Sequence, residues 1–357
     1  MEKHLKKLLA EKDSIRSINL SRLHLDQVPE ALRGCTKLEN ISLAENDIRT
    51  FPAWLFELPA LKKLDISFNP NAVIPKALAK AQGLEKLVIS APQDKVLPQA
   101  VLQLTKLKTL HISGTLAALP DGLFALENLQ EIELFETELT TIPAGIARLP
   151  KLKKFSMMQF WFSERLAVVD VEDMFDKLSR CAALRVLHLN IVNMGVLPDN
   201  IGLLRQLREL NLNSNGLQQM PTGLFELAGL RILDLGMNDF KYIPKEIARL
   251  TQLKTLIIHS NHSPPLDTRN LWQRIAVFEH LETLALWSCQ AKMEIPEAIS
   301  ALKKLKSLDV DNNKITRLPK SLEKMVWLQK LRISTNLLPP SETERLRAAL
   351  PNTRITA

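Results

Sequence analysis

Residues 207 to 215 read Leu207-Arg-Glu-Leu210-Asn-Leu212-Asn-Ser-Asn215, and the same spelling returns along nearly the whole chain. Segments of the form L-x-x-L-x-L begin at residues 15, 38, 61, 84, 107, 129, 152, 184, 207, 230, 253, 281, 305 and 328, and nine of the thirteen steps between them are 23 residues long. A period of that size marks an array of repeats. Within each unit, apolar side chains at positions 4 and 6 point to one face of a short strand and their neighbours to the other. One face is core and the other is free. Position 9 is asparagine in seven units (Asn46, Asn69, Asn215, Asn238, Asn261, Asn313 and Asn336), where a side-chain amide can satisfy backbone groups as the chain turns.

Twelve units then carry an apolar residue followed by proline, as at Phe51-Pro52, Ile142-Pro143, Met220-Pro221 and Leu318-Pro319. Proline suits the first turn of a helix. Apolar residues follow it at the third and sixth places, Ile146 with Leu149 for example, as one helix face requires. Each unit reads strand, turn, helix. Stacking predicts an α/β solenoid, a curved horseshoe with a parallel concave sheet of about 14 strands and short helices on the convex side. Such an array does not divide into independent domains, because each unit buries its edges against its neighbours. Residues 1–14 and 339–357 read as helical caps on the repeats of 15–338. Leu5, Leu8 and Leu9 recur at helical spacing in the first cap, and Ser341 with Glu344 spells a capping box opening a helix from Ser341 to Leu350 in the second.

Of the 357 residues, 46% are hydrophobic and 24% charged, which excludes a disordered chain, a collagen and a disulfide scaffold. The sequence holds no apolar run of about 18 residues, and its start, MEKHLKKLLAEKDSIRS, is charged throughout, so neither a membrane span nor a signal peptide is expected. Cys35, Cys181 and Cys289 are odd in number and lie in no C-x-x-C or Cys/His array. The expectation is a reducing, cytoplasmic setting with no disulfide framework and no metal site.

The repeat spelling resembles the leucine-rich repeat family over residues 15 to about 338. The resemblance implies that the position-9 asparagines stack as a ladder. Thr115, Thr137 and Cys289 are the family's usual substitutes there, whereas Leu23, Pro92, Phe160 and Val192 depart from the pattern and should interrupt it. The chain looks like the intracellular 23-residue class, which includes Ras-suppressor and Ras-scaffold proteins and stand-alone bacterial repeat proteins, some delivered into host cells. That implies a scaffold that binds a protein, with a secreted effector binding a host cytosolic protein as the alternative. The ubiquitin-ligase effectors of the family carry a C-x-D motif, and none of the triplets at Cys35, Cys181 or Cys289 matches it.

Two units are long. Residues 152–183 include Val171, Met174, Phe175 and Leu178 at amphipathic-helix spacing among Asp170, Glu172, Asp173 and Asp176. Residues 253–280 place Leu271, Ile275 and Phe278 after Pro264-Pro265 in the same manner. The added segments, 163–183 and 262–280, read either as replacements for the short helix or as binding walls.

Positions 2, 3, 5, 7 and 8 face away from the core, so the outer surface can be written down. It is mostly polar, but from the middle onward it carries Phe135, Met158, Ile191, Met237, Ile257 and Trp287, together with His259. Trp161 stands between the inward Phe160 and Phe162 in an irregular register, and Phe68 stands apart. Apolar groups clustered on an uncovered face read as a docking patch, with chance substitution as the alternative. Lys+Arg number 47 against 39 Asp+Glu, and Lys153, Arg185, Arg208, Arg231 and Lys254 occupy position 2 in five consecutive units. They form either a steering edge for an acidic partner or a solvated rim. Nucleic-acid motifs are absent, and nothing points to self-association or to its absence.

No phosphate-binding, dinucleotide, zinc-protease or nucleophile-elbow motif occurs, so no cofactor and no catalysis are expected, with a hydrolytic enzyme acting through His111 as the remote alternative. The best polar pair is His111 with Glu133, at position 5 of adjacent units near Ser90 and Ser113. His259 and His262 flank a ladder asparagine and do not form a metal site.

Overall fold

A computed structural model describes residues 12–159, 168–190, 194–261, 266–268, 271–290 and 293–357. The chain folds as two compact units, residues 1–170 with 180–184 and residues 171–179 with 185–357. The described residues form fifteen parallel strands, each unit's set running in sequence order.

In the first unit the strands are β1 (Ser17–Asn19), β2 (Asn40–Ser42), β3 (Lys63–Asp65), β4 (Lys86–Ser90), β5 (Thr109–Ser113), β6 (Glu131–Phe135) and β7 (Lys154–Met158). Position 4 pairs with position 4 at every step: Ile18, Ile41, Leu64, Leu87, Leu110, Ile132 and Phe155 stand side by side and buried. In the second unit they are β8 (Val186–Asn190), β9 (Glu209–Asn211), β10 (Ile232–Asp234), β11 (Thr255–Ile257), β12 (Thr283–Ala285), β13 (Ser307–Asp309), β14 (Lys330–Arg332) and β15 (Arg354–Thr356). Leu187, Leu210, Leu233, Leu256, Leu284, Leu308 and Leu331 form the equivalent row, which Ile355 ends. A shift of one residue would turn the whole row to solvent, so the apolar spelling sets the register.

The short helices that the spacing predicts after the prolines are 3-10 helices in most of the described repeats. Leu78, Ile146, Leu224 and Leu322 donate their backbone N–H to the proline three residues before, at 3.1 to 3.2 Å. A 23-residue period leaves only about five residues for this leg, and a 3-10 helix rises ~2.0 Å per residue against ~1.5 Å for the α form. The tighter helix therefore covers the distance back toward the next strand. Among the described residues the α-helices are α1 (Ala53–Phe56), α2 (Val171–Ser179), α3 (Leu271–Ile275) and α4 (Pro340–Ala349). In α2, Val171, Met174, Phe175 and Leu178 are all buried. Leu271 and Ile275 are buried in α3, and Phe278 is buried just beyond it.

The C-terminal segment departs from its reading in two ways. The last helix starts at Pro340, and its N-cap, Pro339, supplies no side-chain bond, so Ser341 and Glu344 form no capping box. The neighbouring Glu342 is used instead, accepting the Leu318 N–H at 2.9 Å and an Arg345 N–H at 2.8 Å. Residues 354–356 then add β15, one strand more than the repeat count. The Leu5, Leu8 and Leu9 segment lies outside the described residues.

Each ladder asparagine makes the same three donations. Asn46 gives its amide to the carbonyls of Leu20, Leu43 and Ala44 at 2.9, 2.9 and 3.2 Å, while its oxygen receives the N–H groups of Leu23 and Leu25 at 3.0 Å. Asn238, Asn313 and Asn336 repeat the donations in the second unit. At Cys289 the thiol replaces the amide, 3.4 Å from the Ile258 carbonyl.

Candidate functional site

On the open sheet face of the first unit, Phe135 stands beside Met158 in register; Phe135 is half-buried and Met158 is 37% exposed. Lys153 at the strand edge reaches the side-chain oxygen of Gln130 at 3.3 Å. Trp161 lies outside the described residues.

The polar centre of this face is His111. The β5–β6 register sets it opposite Glu133, with Nε2 3.1 Å from Glu133 Oε2 and 4.0 Å from Glu131 Oε2. Lys154 on β7 bridges the other oxygens, 3.0 Å from Glu131 Oε1 and in close contact with Glu133 Oε1. Burial pushes the His111 imidazole below its ordinary pKa, outweighing the pull of Glu133. Burial also raises the Glu133 carboxyl, but the Lys154 hydrogen bond and the charges of His111 and Lys154 hold it below the usual value. The hydroxyls near this group are spent elsewhere. Ser90 Oγ takes the Phe68 N–H at 2.7 Å and lies 3.1 Å from Ser113 Oγ, which in turn reaches the Ile89 carbonyl. The geometry pairs neither serine with His111, and the described residues assemble no catalytic constellation.

In the second unit a different group forms at position 7. The Trp287 and His259 rings stack with centroids 4.0 Å apart and planes within 8°. His259 Nε2 reaches Asn213 Nδ2 at 3.3 Å, and Nδ1 lies 3.2 Å from Ser260 Oγ. Because the amide donates, Nε2 accepts and the proton belongs on Nδ1. His259 thus joins strands two repeats apart, crossing over Gly236. A Cβ on Gly236 would sit 2.5 Å from His259 Nε2 and 2.7 Å from Asn213 Nδ2. Burial lowers the His259 pKa, opposed in part by Asp234.

Met237 follows Gly236 and is 39% exposed, and Ile257 is half-buried on the same face. Met237 has φ 52°, in the left-handed region, as do Arg22, Glu45, Phe68, Ser214, Ser260, Ser288, Asn312 and Thr335 at the same repeat position. Position 8 is thus a turn position, and its side chains stand at the sheet rim. Asn213 and Gly236 help to hold the His259 ring, and the sequence reading did not single them out. The available signal was a lone glycine at position 7 between units whose position-7 residues are polar or aromatic. Ile191 and His262 lie outside the described residues.

Along the edge of this unit, Arg208 hydrogen-bonds the Leu207 carbonyl at 3.0 Å, Arg231 is exposed, and Lys254 lies 3.5 Å from Glu282. Arg185 is exposed at the start of the row. No helix among the described residues is long and apolar enough to cross a membrane.

Residues 13–70 and 279–338 match a leucine rich repeat family, residues 165–289 a leucine-rich repeat region, and residues 76–161 a BspA-type leucine rich repeat region. No curated protein matches the sequence. Among solved structures, a leucine-rich repeat protein of Leptospira interrogans is similar at 25% identity and TM-score 0.61, covering 99% of this chain and 98% of that one. An internalin from Listeria monocytogenes is similar at 18% identity and TM-score 0.55, over 99% of this chain and 93% of that one. The ectodomain of an Arabidopsis thaliana membrane receptor kinase, in complex with Casparian strip integrity factor 2, is similar at 20% identity and TM-score 0.61, over 96% of this chain but 41% of that one. The likenesses run across bacterial and eukaryotic proteins and do not single out the intracellular 23-residue class. Strand-turn-helix units in register, a position-9 amide that recurs with the same bonds, and family matches from residue 13 to residue 338 identify the chain as a leucine-rich repeat solenoid protein.

Proposed function

We propose that this chain is a non-catalytic scaffold that binds a protein partner on the open sheet face of its second unit, around Met237, Ile257, His259 and Trp287. One observation carries the reading: Trp287 is laid flat on His259, which is itself held by Asn213 across the gap left by Gly236. An aromatic pair fixed in this way loses little entropy when a partner docks, and rigid aromatic anchors dominate binding energy at interfaces. Arg208, Arg231 and Lys254 lie at position 2, toward the other end of the same strands, and steer an acidic partner toward this face. Phe135 and Met158 give the first unit a smaller contact of the same character. The proposal also places the protein in a reducing compartment. Cys35, Cys181 and Cys289 are buried thiols outside any disulfide, and burial pushes Cys181 and Cys289 up to about 11, away from the reactive thiolate.

The test is quantitative capture from native cytosol with wild type and with a Met237→Ala/Trp287→Ala variant of matched melting temperature. A partner retained by wild type and lost at least tenfold by the variant supports the surface. Equal retention by both moves the binding site off this face.

A further inference from the structure

We propose that His111, Glu131 and Glu133 hold a divalent metal ion of the zinc class on the open sheet face of the first unit. Positions 3 and 5 of β6 and position 5 of β5 put the three ligands on one surface, and their donor atoms all lie within 4.8 Å of one another. A tetrahedral ion with bonds of ~2.0–2.1 Å sets its ligands roughly 3.4 Å apart. The separations from His111 Nε2, 3.1 Å to Glu133 Oε2 and 4.0 Å to Glu131 Oε2, bracket that spacing.

The second observation concerns the imidazole itself. His111 Nε2 is buried and makes no hydrogen bond, its nearest charged neighbour being Glu133 Oε2 at 3.1 Å. A buried ring nitrogen without a hydrogen bond is costly unless something else satisfies it. The carboxylates are also divided by atom. Both Oε1 oxygens are taken by Lys154, and both Oε2 oxygens face the imidazole, with Thr109 Oγ1 3.5 Å from that of Glu131. Lys154 thus occupies the carboxylate oxygens that face away from the imidazole.

Its charge, with that of Lys86 nearby, also opposes a cation. These charges set the expected affinity below that of a structural site. One imidazole and two carboxylates suit zinc or manganese better than calcium, which takes six to eight oxygens. The fourth position stays open to water or to a partner's side chain.

Zinc chloride titrated into chelator-stripped full chain by calorimetry tests the site, with His111→Gln, Glu133→Gln and Lys154→Met compared at matched thermal stability. Wild type takes up one equivalent with micromolar Kd. His111→Gln and Glu133→Gln weaken it at least tenfold, and Lys154→Met tightens it. Cobalt(II) gives a second readout: visible absorption of a tetrahedral centre, present in wild type and lost in His111→Gln. The proposal is overturned by absence of saturable zinc binding, by binding and cobalt absorption that survive His111→Gln, or by weaker binding after Lys154→Met. In each of those cases the cluster is an ion-pair network and nothing more.

Discussion

Asn238 shows what one side chain does for a repeat. Its amide serves the carbonyls of Leu212, Leu235 and Gly236, and its oxygen takes the N–H groups of Asn215 and Leu217. Asn238→Ala strands these buried groups, and since unsatisfied groups cost about 1–3 kcal/mol each and relaxation recovers part, a loss of about 3 kcal/mol is expected. Urea unfolding with an unchanged slope checks it; a loss below about 1 kcal/mol would count against the ladder as a stabilising device. His259 gives a pH prediction. Its folded pKa lies below the ordinary value of ~6.5, so the unfolded chain binds the proton more readily. The stability tied to neutral His259 is fully present above that value and is lost as pH falls through the lower folded one. Melting temperatures at pH 7.5 and 5.0 should therefore fall more for wild type than for His259→Gln, and an equal fall in both would remove the assignment. The asparagines were legible because a repeated polar residue at a fixed place after an apolar strand has few other uses. The left-handed backbone at position 8 was not, because Arg22, Glu45, Phe68 and Met237 carry no common signal and just Gly114 and Asn312 are residue types that favour it.

The strands follow directly from the apolar spelling, since a period of 2 over positions 4 and 6 leaves one choice of face and one register. The helical legs were harder to read, because a proline followed by apolar residues at the third and sixth places fits a short α-helix and a 3-10 helix equally. What separates the two is the distance the leg must cover, which is a property of stacked units. The last helix illustrates the same limit: the capping-box spelling at Ser341 and Glu344 was present, yet Pro340 already fits the first turn and Glu342 is claimed by Leu318 and Arg345. Packing between adjacent legs sets a further requirement at Gly223. A Cβ there would come within 1.8 Å of the Asp199 carbonyl oxygen, and the Gly223 N–H donates to Asp199 Oδ1 at 2.7 Å. Gly223→Ala should cost about 3 kcal/mol, at the upper end for an overpacked site, because the obstacle is backbone. Gly34, where a Cβ would meet nothing within 4 Å, is the control. Gly34→Ala should leave thermal stability within about 0.5 kcal/mol, and equal losses at both positions would sink the packing argument.

Stacked repeats bury their apolar edges only against neighbours, so their stability is close to a sum of unit and nearest-neighbour contributions. Leu64 on β3 and Leu87 on β4 are paired and fully packed, whereas Leu308 on β13 belongs to the other compact unit. Replacing any one by alanine removes a buried leucine at a cost of about 2–5 kcal/mol. Leu64→Ala with Leu308→Ala should then add to within about 0.5 kcal/mol, since the two share no partner. Leu64→Ala with Leu87→Ala should deviate from additivity by about 0.5–3 kcal/mol, because the first cavity relaxes into the second. Denaturant unfolding of the single and double variants measures both cycles under one set of conditions. If the distant pair couples as strongly as the adjacent one, stability is spread along the array by something other than neighbour stacking. If the adjacent pair is additive, each strand's core is independent of the next, and the continuous row of position-4 side chains loses its energetic meaning.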